Sequence, residues 1–177
     1  MDTIGLGEEL LAVLHGSGWR IERSASREPL LVPPVRLRYP RLPVELTRFL
    51  EGLESCVNRD QNVWFLCRED FRRTDEQSFR WNENELMSLD AARGDPVLEA
   101  KTRGFWDRHF PFMLAVHSDY DYLAVSLDDQ SYGRIMHGFA PGFEEVSMVA
   151  TSFMEFLALF KLALLGDKED YPLSLFL

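Results

Sequence analysis

The chain has 177 residues, of which 46% are hydrophobic, 12% aromatic and 27% charged. This composition is that of one folded domain of ordinary size, and it excludes a disordered or low-complexity chain. The formal net charge of −10 argues against nucleic acid or an anionic membrane as the main partner, because both are bound through surplus lysine and arginine. A basic protein partner is favoured instead, although such a charge also serves solubility.

The cysteines and the apolar runs of the sequence indicate the cellular compartment of the protein. Cys56 and Cys67 occur without a secretion signal at the start of the sequence, so we expect buried, reduced thiols rather than a disulfide. The longest apolar run, 156–165, has ten residues including Lys161, which is about half the length of a membrane-spanning helix. These features predict a cytoplasmic protein that does not enter a membrane.

Residues 1–41 are predicted to lie outside a main domain formed by residues 42–177. A short helix is predicted from Gly7 to His15, where apolar residues share one side. Residues 23–41 contain four prolines, which remove backbone donors and favour extended geometry. We therefore predict a linker, or an arm lying on the surface, before the main domain.

The first half of the main domain is predicted to mix helices and short strands. A helix is expected over 43–55, because its leucines and Phe49 form one apolar stripe. Residues 62–67 predict a strand, and 78–81 a second, shorter one. The segment 84–109 is mainly helical in pattern, with a break at Gly94 and a restart at Asp95-Pro96.

From Phe110 onward the apolar residues repeat with period two, which is typical of strands. Strands are predicted over 110–116, 121–127, 134–139 and 146–149. Short connections between successive strands favour antiparallel pairing. The sequence therefore predicts an α+β domain with a central, mostly antiparallel sheet of about four to six strands in meander order, flanked by helices.

A final helix is predicted after Ser152. Ser152 and Glu155 have the S-x-x-E spacing of a capping box, and Gly166 is a natural terminator. Both sides of this helix are apolar. We therefore expect it to be covered on more than one side.

The order of these elements resembles the SUKH superfamily, which is named partly for the yeast Smi and Knr cell-wall regulators. The residues that carry the resemblance are D-Y-L-A-V-S-L at 121–127, G-R-I at 133–135, T-S-F-x-x-F-L at 151–157, and Leu42-Pro43 followed by Phe49-Leu50. The resemblance covers residues 42 to 165. It implies an α+β domain with a central, mostly antiparallel sheet and flanking helices.

The resemblance also implies a function. Bacterial SUKH members are mostly immunity proteins, which bind and mask a toxin encoded beside them. Many such toxins are nucleases with basic surfaces, which an acidic inhibitor would suit. The resemblance therefore implies a cognate toxin as partner, with no direct nucleic-acid or membrane contact. The yeast relatives and the arginine- and proline-rich arm support an alternative, a regulatory or adaptor scaffold.

Candidate partner-binding residues lie in the polar loops between the predicted strands. They are His117, Asp119, Tyr120, Asp121, Asp128, Asp129, Glu144 and Glu145. The carboxylates would form an acidic rim that meets lysine and arginine of a toxin, although solvated turn charges are an alternative. Tyrosine and tryptophan are frequent interface anchors, and of Trp64, Trp81 and Tyr120 we expect Tyr120 to be the most exposed and Trp64 to be core.

One cluster raises the question of catalysis. His117, Asp119 and Asp121 would lie on one side of an extended segment, as a hydrolase or metal site would need, but an ordinary polar turn has the same composition and is favoured. The sequence has no zinc-ligand spacing, no G-x-S-x-G elbow and no phosphate-binding glycine loop. We therefore predict no catalytic residue, no metal and no cofactor, with a small metal-dependent hydrolase as the remote alternative.

Overall fold

The computed structural model describes residues 3–73, 79–117, 119–167 and 171–177. Its centre is a seven-stranded antiparallel sheet in which the strands lie in sequence order. The strands are β1 (Arg20–Arg23), β2 (Leu53–Val57), β3 (Val63–Phe65), β4 (His109–Val116), β5 (Tyr120–Ser126), β6 (Ile135–Phe139) and β7 (Ser147–Ala150). The predicted α+β class and the meander are confirmed, with more strands than the four to six expected.

Helices flank this sheet. They are α1 (Thr3–Gly16), α2 (Pro33–Arg38), α3 (Val44–Glu51), α4 (Arg68–Arg72), α5 (Glu83–Ala91), α6 (Pro96–Trp106) and α7 (Phe153–Leu164), followed by a 3-10 helix at Leu173–Phe176. None of the helices in the described ranges combines the length and the apolarity needed to span a bilayer.

Helices cover both faces of the sheet. Phe65 of β3 packs against Phe160 of α7, with ring centroids 6.1 Å apart. Trp64 precedes Phe65 in the strand and therefore faces the other way. It belongs to the same cross-strand row as Tyr122, which packs on Trp106 of α6 at 5.0 Å. Helix α7 thus lies on one face and α6 on the other.

The segment predicted to be a linker or surface arm is built into the core. Its first residue, Arg23, is the last residue of β1, which pairs with β2, and the side chains of Leu30 and Tyr39 are buried. The Tyr39 hydroxyl donates a hydrogen bond of 2.9 Å to the carbonyl of Trp106. Pro33 and Pro34 occupy the first turn of α2, where the missing amide hydrogen costs nothing. The prediction of a surface arm is therefore wrong, because proline here begins a helix instead of keeping the chain extended.

Two predicted elements differ from the structure, and the short helix α4 was not predicted. The helix expected over 43–55 ends at Glu51, and the chain enters β2 directly after Gly52. Ser78 of the strand expected over 78–81 lies outside the described residues, and residues 79–81 form no strand. The helix α4 was not predicted because its five residues are too few to show a period.

The predicted helix break and the predicted cap are confirmed. Gly94 has a positive φ of 90°, and the Asp95 carboxylate accepts hydrogen bonds from the first turn of α6. At α7 the Ser152 hydroxyl accepts from the amide of Glu155 at 3.2 Å. The Glu155 carboxylate accepts from the amide of Thr151 rather than from that of Ser152, so the box is shifted by one residue. Helix α1 packs against α7 and also contacts β1.

Candidate partner-binding site

The antiparallel meander sends its loops to two opposite ends of the sheet. The connections after β2, β4 and β6 lie at one end, and the connection after β5 lies at the other. The seven residues of β5 separate these ends by about 20 Å. Of the predicted site residues, His117, Asp119, Tyr120, Asp121, Glu144 and Glu145 belong to the first end, and Asp128 and Asp129 to the second. The predicted set therefore divides into two surfaces.

We call the first of these surfaces the acidic end, and define it by Asp60, Asp119, Glu144 and Glu145. Asp60, Asp119 and Glu145 are exposed, and none of them forms an ion pair with another described residue. Asp60 was not predicted as a site residue, because β2, which carries it to this end, was assigned to a helix. Exposed Arg59 lies beside Asp60 in the same loop and offsets its charge, so Asp119 and Glu145 give this end the negative potential that favours a cationic surface.

Asp128 and Asp129, at the opposite end, are already engaged within the chain. Arg108 lies 3.4 Å from the Asp128 carboxylate, and Arg41 lies 3.3 Å from that of Asp129. These exposed pairs contribute little to stability, but each reduces the local negative potential. This end is therefore a poorer match for a basic partner than the acidic end.

His117, Asp119 and Asp121 do not converge on one point. The Asn62 side-chain amide contacts Nδ1 of His117 at 2.9 Å, and Nε2 of the same ring contacts the Leu175 carbonyl at 3.0 Å. Asp121 is only 7% exposed, and its Oδ1 is hydrogen-bonded to Nε2 of His137 at 2.7 Å. In the described part of the chain, no three His, Cys, Asp or Glu side chains are grouped to hold a metal ion.

Exposed aromatic rings accompany the acidic end. Tyr120 is 38% exposed, as predicted, and Phe139 is 43% exposed. The Tyr120 ring stacks on Phe79 at 5.9 Å, and Phe79 in turn meets Trp64 edge-on at 5.6 Å and 87°. Trp64 is half-buried rather than fully in the core. Trp81 is half-buried as well, and its ring packs on Phe71 at 5.8 Å.

A groove of about 440 Å³ opens beside these rings. Strands β1, β2 and β3 form its floor, and α4 and Phe79 form a wall. Its lining residues are Arg20, Glu22, Ser55, Cys56, Val57, Gln61, Trp64, Phe65, Glu69, Asp70, Arg73 and Phe79. The groove was not predicted, because three of the elements that form it, β1, β2 and α4, were not predicted either.

Asp70 is the most perturbed carboxyl group of the groove. Its Oδ2 accepts a hydrogen bond of 2.8 Å from the amide of Cys67 and so caps α4. Burial raises the pKa of this carboxyl to about 6, against the opposing effects of the hydrogen bond from Cys67 and of the charge on Arg73. Cys56 and Cys67 are both free and buried, as predicted, and burial raises the pKa of the Cys56 thiol to about 12.

The raised pKa of Asp70 predicts a pH dependence of stability. The unfolded chain loses this proton near its usual pKa of 3.8, whereas the folded chain retains it up to about pH 6. Between these values the folded state binds more protons, so stability falls as pH rises, by about 3 kcal/mol, and is then constant. Urea unfolding of wild type and Asp70→Asn at several pH values measures this difference. Parallel pH profiles for the two proteins would contradict the assignment.

Comparison of the chain with protein-family models, with curated proteins and with solved structures found no match. The resemblance to the SUKH superfamily therefore stays a prediction from the residues that carry it.

Proposed function

We propose that this chain is a non-enzymatic cytoplasmic protein that binds a basic partner protein through the acidic end of its sheet. We further propose that the partner is a cognate toxin, encoded by a neighbouring gene, which the chain neutralises as an immunity protein. One observation carries the proposal: the unpaired carboxylates of Asp119 and Glu145 lie at the same end of the sheet as the exposed rings of Tyr120 and Phe139.

This combination suits protein recognition for physical reasons. Aromatic anchors supply most of the binding energy in many interfaces, and charged residues around them steer the encounter. The Tyr120 ring is already held against Phe79, so little conformational entropy is lost when a partner covers it. The net charge of −10 adds a long-range attraction for a cationic surface. The SUKH-like motifs support the choice of a toxin as that partner.

Charge reversal at the acidic end tests the proposal. The Asp119→Lys/Glu145→Lys double variant is expected to weaken binding of the toxin by about 100-fold, because two attractive contacts become repulsive. Co-expression with the toxin encoded by the adjacent gene measures protection, and titration calorimetry measures affinity. Both side chains are exposed, so the melting temperature should change little.

The opposite end of the sheet provides the matched control. Asp128→Lys/Asp129→Lys changes the net charge by the same amount but lies about 20 Å away. It is expected to protect as wild type does. Equal loss in both variants would show a general charge effect and refute the assigned surface, and failure of the wild type to protect would refute the toxin partner. Binding of the adjacent gene product without inhibition would favour the adaptor alternative.

A further inference from the structure

The groove beside the acidic end contains an aromatic corner. The rings of Trp64 and Phe79 meet at 87° with centroids 5.6 Å apart, and both residues line the groove. Both rings are half-buried, so they are held in place but still accessible. The two ring faces that border the groove beside this contact are electron-rich, and a cation that lies against both of them is attracted.

Charges in the groove also favour a cation. Its lining contains the three carboxyl groups of Glu22, Glu69 and Asp70 and the two guanidinium groups of Arg20 and Arg73, so the formal sum is −3 + 2 = −1. Arg73 is bound to Glu69 at 2.7 Å and its charge also acts on Asp70, so the surplus of negative charge in the groove amounts to one carboxyl group. Asp70 is largely removed from water, and an opposite charge beside it would stabilise its ionised form.

We propose that this groove receives a lysine or arginine side chain of the partner protein, with the cationic group in the corner between Trp64 and Phe79 and within reach of the Asp70 carboxylate. The inference rests on the proposed function, because it assigns the anchor by which the same partner is held. A volume of about 440 Å³ is ample for one such side chain and the backbone that carries it.

The groove is continuous with the acidic end. Phe79 contacts Trp64 on one side and stacks on Tyr120 on the other, so three rings lead from the exposed surface into the groove. Gln61 of the β2–β3 loop, next to Asp60, lines the groove as well. A partner that covers Tyr120 is therefore placed to insert a neighbouring side chain into the corner.

Small amides that mimic single residues test this inference without the partner. The probes are Nα-acetyl-lysinamide and Nα-acetyl-argininamide, and the control is Nα,Nε-diacetyl-lysinamide, which has the same stem without the charge. The indole resonance of Trp64, assigned with Trp64→Phe, reports binding in two-dimensional NMR at constant ionic strength. The charged probes are expected to shift it with a millimolar Kd, and the neutral probe to leave it unchanged.

Two variants show where the charged probes bind. Asp70→Asn retains an acceptor for the Cys67 amide and is expected to weaken binding of the charged probes about fivefold, whereas Asp129→Asn at the opposite end is expected to change nothing. Equal shifts with the neutral probe, or no shift with either charged probe, would overturn the inference. Because no toxin is involved, such a result leaves the proposed function standing if Asp119→Lys/Glu145→Lys still abolishes protection.

Discussion

Replacing Arg68 with methionine is expected to lower the free energy of unfolding by about 3 kcal/mol. Arg68 is only 1% exposed, and its guanidinium donates hydrogen bonds to the carbonyls of Glu28 and Pro29 at 2.7 and 3.0 Å and to that of Glu51 at 3.3 Å. It therefore joins the segment before α2, the end of α3 and the start of α4. Methionine fills a similar volume but leaves three carbonyls without this donor.

Arg72 supplies the control on the same helix. It is partly exposed and pairs with the Glu28 carboxylate at 2.7 Å, so it binds the same residue as Arg68 but at the surface. Arg72→Met is expected to cost less than about 1 kcal/mol. Urea unfolding of both variants measures the difference. If Arg68→Met were as stable as Arg72→Met, the buried guanidinium would not hold the three segments together.

Introducing a side chain at Gly138 is expected to destabilise the protein by about 3 kcal/mol. A Cβ at this position would lie 2.6 Å from Cε1 of Tyr122, which crosses the glycine from the neighbouring strand. Tyr122 cannot easily move, because its ring is fully buried against Trp106 and its hydroxyl donates a hydrogen bond to the carbonyl of Phe143. Thermal and urea unfolding of Gly138→Ala measure the cost.

A second glycine gives the opposite expectation. Gly5 lies in α1, and a methyl group added to it would meet no atom within 4 Å, so Gly5→Ala is expected to stabilise the protein by about 0.5 kcal/mol. For the first glycine, Gly138, a double-mutant cycle isolates the contact with Tyr122, because Gly138→Ala should cost much less stability in a Tyr122→Ala background. A cost that is unchanged in that background would show that Tyr122 is not the cause.

The C-terminal half of the fold was predictable from local patterns. The alternation from Phe110 onward marked four strands, and Ser152 with Glu155 marked the start of α7. Strands β4 and β5 have eight and seven residues and α7 bears a cap, so each of these three elements carries its own signature. In the N-terminal half the strand predicted over 62–67 is present as β3, but β1, β2 and α4, which have four, five and five residues, were not predicted. Elements this short are stabilised by what they pair with or pack against, and a local window does not contain that information.

Part of the candidate site was likewise predictable from the sequence, and part was not. The acidic and aromatic residues of the β4–β5 and β6–β7 loops were identifiable by type, and the exposure of Tyr120 was predicted correctly. The grouping was not predictable, because Asp60 and Gln61 reach this end only through β2. Asp121 is adjacent to Tyr120 in sequence, yet it is buried against His137, since neighbouring residues of a strand face opposite ways.

The sequence alone determined the class of fold, the meander order of the later strands and the acidic character of the surface, because these follow from periodicity, short connections and composition. Only the tertiary structure decided that the proline-containing segment enters the core, that the predicted carboxylates divide between two ends of the sheet, and that Trp64, Phe79 and Asp70 line one groove. These features arise where strands distant in sequence pair with one another, and no local pattern specifies which side chains such pairing brings together.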